Sequence, residues 1–580
     1  MALSQRRIGW LLVVFALLLA VAAVRALQLA TLSAGRLSNV ANAEHVTTVE
    51  TPAPRGSIVD RNGDLLAVTQ AADDITATPK QVRDPASAAL ALAPLLHQPV
   101  ATLEADITSP IAPDWARLAV QVPAATAAAV KKLGIAGIYL APDSRRVYPD
   151  DYLGAQVLGG VGTDGSGLSG IELQYNTQLS GIAGHQTVVS DGQGQAIRVS
   201  GPTAVAGKTV ALTIDAPLQQ YTDSVVSATG EAFRAAHATA IVLDPQTGAI
   251  LAMSNWPRVN ANDPSQVGVA ENYAVGLDYE PGSTFKIVAI GGALSDGLIS
   301  PNTPFTIPSC IQVANYCITD SEAHGTEVLT TREILARSSN IGAIKIGELL
   351  QPNGMYDWMR RFGFGSPTGV DLPGEESGTV PPVSQWSGST IGNVPIGQGV
   401  DVTPLQVATA YAAIANGGLL RPPHIVSSVG GVPVAVPKAK RILTATVAAE
   451  LRSMLEGVTS AGGTAAEIQI PGYTLAGKTG TANKVVNGTY SHTDYYASFV
   501  GFAPAQDPQI EAIVMVDSPQ TGEIYGTEVA APAWQKIIDF ALPLLKIPPG
   551  GPLPRHTLRP DVALAAERRC GADRDHLARP

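Results

Sequence analysis

The sequence contains one Ser-x-x-Lys tetrapeptide, Ser283 to Lys286, within residues 280–286. Pro281-Gly282 suits a helix entry, and the apolar residues that follow predict a buried helix, so we expect Ser283 in its first turn. Residues three apart share a helix face, which brings the Lys286 amine within reach of the Ser283 hydroxyl. Burial lowers the pKa of a lysine, so Lys286 can accept the serine proton. The motif predicts acyl transfer, and a chance pair at a helix start is the alternative.

Two Ser-x-Asn triplets compete for a second motif. Ser300-Pro301-Asn302 lies in a proline-containing, turn-like stretch. Ser338-Ser339-Asn340 follows a predicted helix with a capping box, Thr330 to Glu333, and precedes the apolar residues 341–350. In a packed interior the Ser338 hydroxyl can relay a proton and the Asn340 amide can hold a substrate carbonyl. We therefore favour the second triplet, with a polar cluster at a helix end as the alternative.

A third motif, Lys478-Thr479-Gly480-Thr481, follows the strand-like residues 473–476. Its Lys and Thr side chains can hold a substrate carboxylate, and Gly480 lets a substrate approach the backbone. Residues 472–479 also match the nucleotide-binding P-loop pattern. A P-loop must open a helix, and residues 481–483 are a weak helix start, so we expect no nucleotide site here.

Composition limits the partners and cofactors. The 580 residues suffice for several domains, and a formal net charge of -11 without a basic stripe argues against nucleic acid as a partner. Export would allow a disulfide between Cys310 and Cys317, with two free thiols as the alternative. The surrounding stretch offers too few ligands for a metal site. We expect no metal or cofactor.

The N-terminus sets the compartment. Ile8 to Val24 is an unbroken apolar run between Arg6-Arg7 and Arg25. It predicts a transmembrane anchor over residues 8–27, with residues 1–7 cytoplasmic and the rest outside. Ala20-Val21-Ala22 resembles a cleavage site, so a removed signal peptide is the alternative. Either interpretation exports the remaining chain.

Secondary-structure signals change near residue 215. Residues 210–215 read as a strand, 216–236 as a helix and 239–253 as strand, turn, strand. Helices mixed with an antiparallel sheet predict an α+β fold. We expect an elongated mixed pedestal domain over 36–215, a catalytic domain over 216–545, and a disordered tail over 546–580 that contains Cys570.

The motif order Ser283-x-x-Lys286, Ser338-x-Asn340, Lys478-Thr479-Gly480 resembles that of penicillin-binding proteins and serine β-lactamases. Other stretches extend the resemblance to the class B penicillin-binding proteins, single-pass transpeptidases of the cell envelope, over roughly residues 8–540. These stretches are Arg55 to Gly63, Gly170-Ile171-Glu172, Tyr279 to Ser283, Gly397-Gln398-Gly399 and Thr403 to Gln406. The division (FtsI-like) type is the best match, and an elongation-type enzyme with the same chemistry is the nearest alternative.

The resemblance implies a penicillin-binding/serine β-lactamase-like transpeptidase domain and a role for each motif residue. Ser283 would attack the penultimate D-alanine carbonyl of a stem peptide with Lys286 as base, and an amine of a neighbouring stem would resolve the acyl-enzyme. Backbone N–H groups of Ser283 and Thr481 would form the oxyanion hole. The other implied roles are proton transfer by Ser338 and Lys478, and substrate binding by Asn340, Thr479, Gly480 and Thr481.

Implied partners are peptidoglycan stem peptides, β-lactams, and division proteins such as an FtsW-type glycosyltransferase. Three other functions compete with transpeptidation. A penicillin-sensing receptor would need a signalling segment before the anchor, for which residues 1–7 leave no room. A β-lactamase would need a deacylating base, which we cannot identify. A non-catalytic division scaffold is disfavoured by the intact motifs.

Overall fold

The computed structural model describes residues 2–31, 35, 46–108, 114–190 and 196–549. Its helices are α1 Ala2–Ala30, α2 Pro85–Leu96, α3 Val100–Thr108, α4 Ala124–Lys132, α5 Ala155–Leu158, α6 Gly170–Gln174, α7 Asn176–Leu179, α8 Ala216–Phe233, α9 Pro264–Val267, α10 Tyr273–Gly276, α11 Lys286–Ser295, α12 Thr331–Ala336, α13 Asn340–Arg361, α14 Thr390–Asn393, α15 Pro404–Ala415, α16 Ala445–Glu456, α17 Gly526–Val529 and α18 Ala531–Leu544. Short 3₁₀ turns cover Pro79–Gln81, Gly282–Phe285, Val383–Gln385 and Val394–Ile396.

The strands are β1 Val46–Thr51, β2 Ile58–Val59, β3 Leu65–Ala77, β4 Ala116–Pro123, β5 Ile138–Val147, β6 Gly184–Ser190, β7 Ala196–Ser200, β8 Val210–Leu212, β9 His237–Leu243, β10 Ile250–Trp256, β11 Pro304–Ile307, β12 Ile311–Val313, β13 Tyr316–Ile318, β14 Glu327–Thr330, β15 Leu419–Leu420, β16 Val426–Val429, β17 Val432–Pro433, β18 Lys440–Arg441, β19 Ala476–Val486, β20 Thr489–Ala503 and β21 Ile510–Asp517. The predicted tail lies outside the described residues from residue 550 onward.

The chain divides into two compact units. The first comprises Met1–Ser57, Val68–Val147 and Thr177–Lys208, and the second comprises Ile58–Ala67, Tyr148–Asn176 and Thr209–Pro580. In the first unit β1, β6 and β7 form an antiparallel sheet, and β4 and β5 flank β3. Ile75, Leu92 and Leu103 belong to its core and are fully buried.

Helix α1 includes a segment, Arg6–Ala30, that is apolar and long enough to cross a membrane. Within the part of the chain that the structure describes, it is the one such helix. It contains the predicted anchor, residues 8–27.

The second unit is built on a five-stranded antiparallel sheet in the order β10-β9-β21-β20-β19. One face packs on α8 and α18, where Trp534 is fully buried against Phe499 and donates from its ring N–H to the Ala512 carbonyl at 2.9 Å. The predicted helix at 216–236 and the strands at 239–253 are confirmed as α8, β9 and β10. The α+β prediction is therefore confirmed. The sheet leaves β19, which carries the third motif, at one edge.

Two buried apolar helices support the turn that contains Ser283. All twelve residues of α15 are buried, as are nine of the ten in α11. Tyr411, in α15, donates its hydroxyl to the Thr284 carbonyl at 2.9 Å. The fully buried side chain of Tyr411 thus holds the turn that contains Ser283 in place.

Candidate active site

Ser283 lies in the 3₁₀ turn Gly282–Phe285, immediately before α11 rather than in its first turn. Gly282 has φ +55°, and a Cβ at this position would lie 2.9 Å from the Thr481 carbonyl oxygen, so the turn requires glycine. Ser283 is partly exposed, whereas Gly282 and Thr284 are buried. The turn therefore presents the serine at the surface while its neighbours pack.

The Lys286 side chain is fully buried and donates three hydrogen bonds. Its amine lies 2.5 Å from the Ser338 carbonyl oxygen, 3.1 Å from Ser338 Oγ and 2.8 Å from Asn340 Oδ1. Burial lowers the pKa of Lys286 to about 7, against an opposing effect of the Asp320 carboxylate. None of the hydrogen bonds in the described chain joins this amine to Ser283. The first two sequence motifs are brought together through Lys286.

Ser338 has a strained backbone, with φ +60°. Such strain persists where the surroundings over-determine it, and it is common at functional sites. Helix α12 ends just before this residue, after the predicted capping box of Thr330 and Glu333, which is confirmed. Ser339 then caps α13 by accepting from the Gly342 N–H at 3.0 Å. Because Ser338 adopts the left-handed conformation between α12 and α13, its carbonyl and hydroxyl oxygens both lie next to the Lys286 amine.

The other Ser-x-Asn triplet, Ser300-Pro301-Asn302, lies in an exposed turn. Ser300 Oγ lies 3.1 Å from Thr303 Oγ1 within its own exposed turn. Asn340, by contrast, contacts the Lys286 amine. The structure thus brings Ser338 and Asn340, and not Ser300, to the Lys286 amine.

A small disulfide-closed hairpin braces Asn340. Of the two alternatives that the sequence left open for Cys310 and Cys317, the structure has the disulfide, but the contact of this hairpin with Asn340 was not predicted. Cys310 and Cys317 are disulfide-bonded on either side of the β12–β13 turn. The Thr319 carbonyl, two residues further on, accepts from Asn340 Nδ2 at 3.1 Å. Val313 of the same hairpin packs on the Ala343 and Ile344 side of α13. The hairpin and the second motif form one packed region.

Asp320 connects this hairpin to the start of α13. Its carboxylate accepts from Ser339 Oγ at 2.7 Å and from the Ile341 N–H at 2.9 Å, and it lies 3.2 Å from His324 Nε2. The positive end of a helix favours such a carboxylate. Asp320 thereby fixes the Ser339-Asn340 segment and places a negative charge near Lys286. No local pattern marks this residue, because its contacts come from a segment about twenty residues later in the chain.

The third motif runs along β19, where the Lys478 side chain is completely buried. Burial lowers the pKa of Lys478 well below its ordinary value, and the charge of nearby Lys286 lowers it further. The Lys478 amine donates to the Thr479 carbonyl and hydroxyl at 3.2 and 3.3 Å. A lysine in this state is suited to proton transfer rather than to an exposed charge contact.

The two threonines differ in their contacts. Thr481 Oγ1 accepts from the Gly526 N–H at 3.1 Å, which leaves its own hydrogen available to donate. Thr479 Oγ1 lies 3.2 Å from Thr464 Oγ1. Because residues 476–486 continue as a strand, the helix that a P-loop requires is not formed there.

Gly480 permits close packing of β19 on the turn that contains Ser283. A Cβ at Gly480 would lie 2.3 Å from Ser498 Oγ, 3.0 Å from Thr284 Cγ2 and 3.1 Å from the Pro281 carbonyl oxygen. Any other residue would therefore push the strand away from the segment that carries Ser283.

Glu280 forms another link that the sequence did not predict. Its Oε1 accepts from the Gly399 N–H at 2.7 Å and from the Tyr490 hydroxyl at 3.1 Å. Burial raises the pKa of Glu280 to about 6. Glu280 ties the segment just before Ser283 to the 397–399 loop and to the β19–β20 hairpin.

Comparisons with known proteins match both parts of the chain to known protein families. The family described as "Penicillin binding protein transpeptidase domain" matches residues 238–539, and the "Penicillin-binding Protein dimerisation domain" matches residues 50–212. Penicillin-binding protein PbpB of Mycobacterium tuberculosis is 35% identical over 567 residues, which cover 90% of this chain and 83% of that protein. Peptidoglycan D,D-transpeptidase FtsI of Escherichia coli is 33% identical over 505 residues, which cover 85% and 84% of the two chains.

A solved structure is also similar. The crystal structure of penicillin-binding protein 3 from Mycobacterium tuberculosis complexed with aztreonam matches with a TM-score of 0.68 and 32% sequence identity. The match covers 87% of this chain and 99% of that chain.

Proposed function

The chain belongs to the class B penicillin-binding proteins, and we propose that it cross-links peptidoglycan stem peptides through an acyl-enzyme on Ser283. The main support for this proposal is the buried Lys286 amine, which contacts Ser338 and Asn340. Lys286 follows the partly exposed Ser283 by three residues. A peptidoglycan D,D-transpeptidase of this kind is a serine acyltransferase that β-lactams inhibit. The similarity to FtsI supports a role in septal wall synthesis.

In the acylation step Ser283 Oγ attacks the carbonyl of the penultimate D-alanine, and Lys286 accepts the hydroxyl proton. A pKa of about 7 leaves a large fraction of Lys286 neutral at physiological pH, as a general base requires. Backbone N–H groups of Ser283 and Thr481 stabilise the oxyanion. The close approach of Gly282 to the Thr481 carbonyl supports this pairing of segments. Removal of one such donor typically costs about 100- to 1,000-fold in rate.

Collapse of the tetrahedral intermediate breaks the peptide bond, and the terminal D-alanine leaves with a proton on its nitrogen. Ser338 supplies this proton from its hydroxyl. The protonated Lys286 amine, which donates to that hydroxyl oxygen, replaces the proton. Lys478, which is buried and has a lowered pKa, takes part in the same proton transfer to the leaving group. An amine of a second stem then attacks the ester, returns the Ser283 oxygen as a hydroxyl and forms the cross-link.

Recognition of the donor peptide uses the remaining motif residues. Asn340 binds the donor peptide through its amide, while Thr479 and Thr481 bind the terminal carboxylate. The free hydroxyl hydrogen of Thr481 supports this assignment. Gly480 contributes by keeping β19 against the nucleophile turn, so that the carboxylate site stays next to Ser283.

The anchor and the domains set where this reaction takes place. Residues 8–27 anchor the chain with residues 1–7 in the cytoplasm, so the catalytic residues face outward. Residues 36–215 serve as the pedestal and residues 216–545 as the transpeptidase domain. Division proteins, including an FtsW-type glycosyltransferase, are the proposed protein partners.

A turnover assay tests the function. The full chain in neutral detergent is incubated with a thioester mimic of a stem peptide and a D-amino acid as acceptor. We expect thiol release and a new D-amino acyl product, both lost in Ser283→Ala. A folded wild-type chain that binds the thioester without releasing thiol would instead indicate a non-catalytic scaffold.

A further inference from the structure

A cleft of about 230 Å³ opens in the second unit between the end of α13 and the β15–β18 pair. Buried Phe362, Gln406 and Thr409 are among its lining residues. None of the residues of the Ser-x-x-Lys, Ser-x-Asn and Lys-Thr-Gly-Thr motifs lines it. The cleft is therefore a feature that the transpeptidase mechanism does not use.

The lining is strongly basic. Five of its fourteen residues are cationic and none is acidic, although the chain as a whole has a formal net charge of -11. The cations come from three separate segments and are Arg360, Arg361, Arg421, Lys438 and Lys440. A concentration of one charge sign in a concave site attracts ligands of the opposite sign.

These cations have no acidic partner within the described residues, where no ion pair involves any of them. The carboxylate of Glu375, which contacts the lining residue Thr368, accepts from the Thr368 and Gly369 N–H groups at 2.6 and 3.1 Å and pairs with none of these cations. Arg421 Nε is buried and has no hydrogen-bond partner. A buried guanidinium donor without a partner usually indicates a missing acceptor.

Two of the arginines are held in place before any ligand arrives. Arg360 donates to the Phe364 and Gly365 carbonyls at 2.9 and 2.5 Å and to Ser366 Oγ at 2.7 Å. Arg361 lies over the Trp358 ring, with its guanidinium carbon 4.6 Å from the ring centroid. Fixed side chains lose little conformational freedom on binding, which favours affinity.

We propose that this cleft binds a phosphate-bearing anion. Phosphate suits the lining because arginine presents paired N–H donors to its oxygens and lysine adds point charge. Two sources supply this chemistry to an anchored chain: a phospholipid headgroup and a soluble phosphate compound. The proposal is independent of the transpeptidase assignment, since the cleft shares no residue with the proposed catalytic set.

Calorimetric titration of the full chain in neutral detergent tests the proposal, with inorganic diphosphate as probe. The cleft variants are Lys438→Gln/Lys440→Gln and Arg361→Gln, which change exposed side chains only. The matched control is Lys131→Gln/Lys132→Gln, two exposed lysines at the end of α4. We expect diphosphate binding that weakens at least about tenfold in the double cleft variant, remains near wild type in the control and falls with added salt.

A second arm separates the sources. Micelles doped with phosphatidylglycerol or phosphatidylcholine are titrated against the same variants. Phosphatidylglycerol binding that competes with diphosphate and is lost in the cleft variants assigns a lipid headgroup, whereas binding of diphosphate alone assigns a soluble compound. The proposal is overturned if neither probe binds the folded wild type, or if cleft and control variants lose affinity equally.

Discussion

The Lys286 amine contacts Ser338 twice, at the carbonyl oxygen 2.5 Å away and at the hydroxyl oxygen 3.1 Å away. The strained φ of +60° at Ser338 makes this double contact possible. The buried amine of Lys286, three residues after Ser283 in the chain, is thus in contact with a hydroxyl that can pass a proton onward.

Acylation by benzylpenicillin should depend on pH through Lys286. The folded pKa of about 7 lies below the ordinary lysine value of 10.5, so the neutral base is lost as pH falls through 7. We expect the acylation rate to rise with pH to a plateau, with its midpoint near 7. Stopped-flow acylation between pH 5 and 9 measures this, with the melting temperature at each pH as the control for unfolding. A flat profile over a stable fold would argue against Lys286 as the base.

Asp320→Asn should slow acylation and shift the pH profile. The amide cannot accept all the hydrogen bonds that the carboxylate accepts from Ser339, Ile341 and His324. Removal of the negative charge also lowers the pKa of Lys286 further. We expect about a tenfold slower rate, equivalent to about 1.4 kcal/mol, and a midpoint at lower pH.

The control for this variant is Asp539→Asn, an exposed aspartate on α18. It should leave both the rate and the midpoint unchanged. An Asp320→Asn protein with a lower melting temperature but the wild-type midpoint would reduce Asp320 to a purely structural role.

Loss of the Cys310–Cys317 disulfide should weaken the support of Asn340. Closing such a short loop stabilises a fold by about 2 kcal/mol in the chain-entropy treatment. We expect Cys310→Ser/Cys317→Ser to lower the melting temperature and to slow acylation, because Thr319 and Val313 hold the second motif from this hairpin.

Cys570→Ser provides the thiol-matched control and should leave both quantities unchanged. Treatment of the wild type with dithiothreitol should reproduce the double variant. Wild-type acylation in the double variant would show that the hairpin keeps its position without the bridge.

Gly480→Ala should impair catalysis by displacing β19. The new methyl group would meet Ser498 Oγ at 2.3 Å, and overpacking of this kind costs about 1–3 kcal/mol. We expect a lower melting temperature together with slower acylation, measured on the same preparation. Gly325→Ala, at which a Cβ meets nothing within 4 Å, is the control. Unaltered acylation in Gly480→Ala would contradict the dependence of acylation on the close packing of β19 against the Ser283 turn.

The sequence predicted the elements of the site better than their connections. Helix α8, strands β9 and β10 and the capping box at Thr330 followed from periodicity and cap residues, which act locally. The preference for Ser338 over Ser300 also rested on local packing signals. These features need no knowledge of distant residues.

The remaining features depend on contacts between distant segments. Asp320 and Glu280 acquire their partners only when residues far apart in the chain meet. The left-handed φ of Ser338 is imposed by the two helices on either side, since serine itself does not favour it. The packing role of Gly480 likewise requires the position of Thr284, which single-sequence patterns do not give.

We propose Ser283 as the residue that β-lactams and stem peptides acylate. The most direct measurement is intact mass and peptide mapping of the full chain, in neutral detergent, after incubation with benzylpenicillin. We predict one long-lived penicilloyl adduct, mapped to the peptide that contains Ser283 and absent from Ser283→Ala. No adduct on a folded wild-type chain, or an adduct on another residue, would contradict the account.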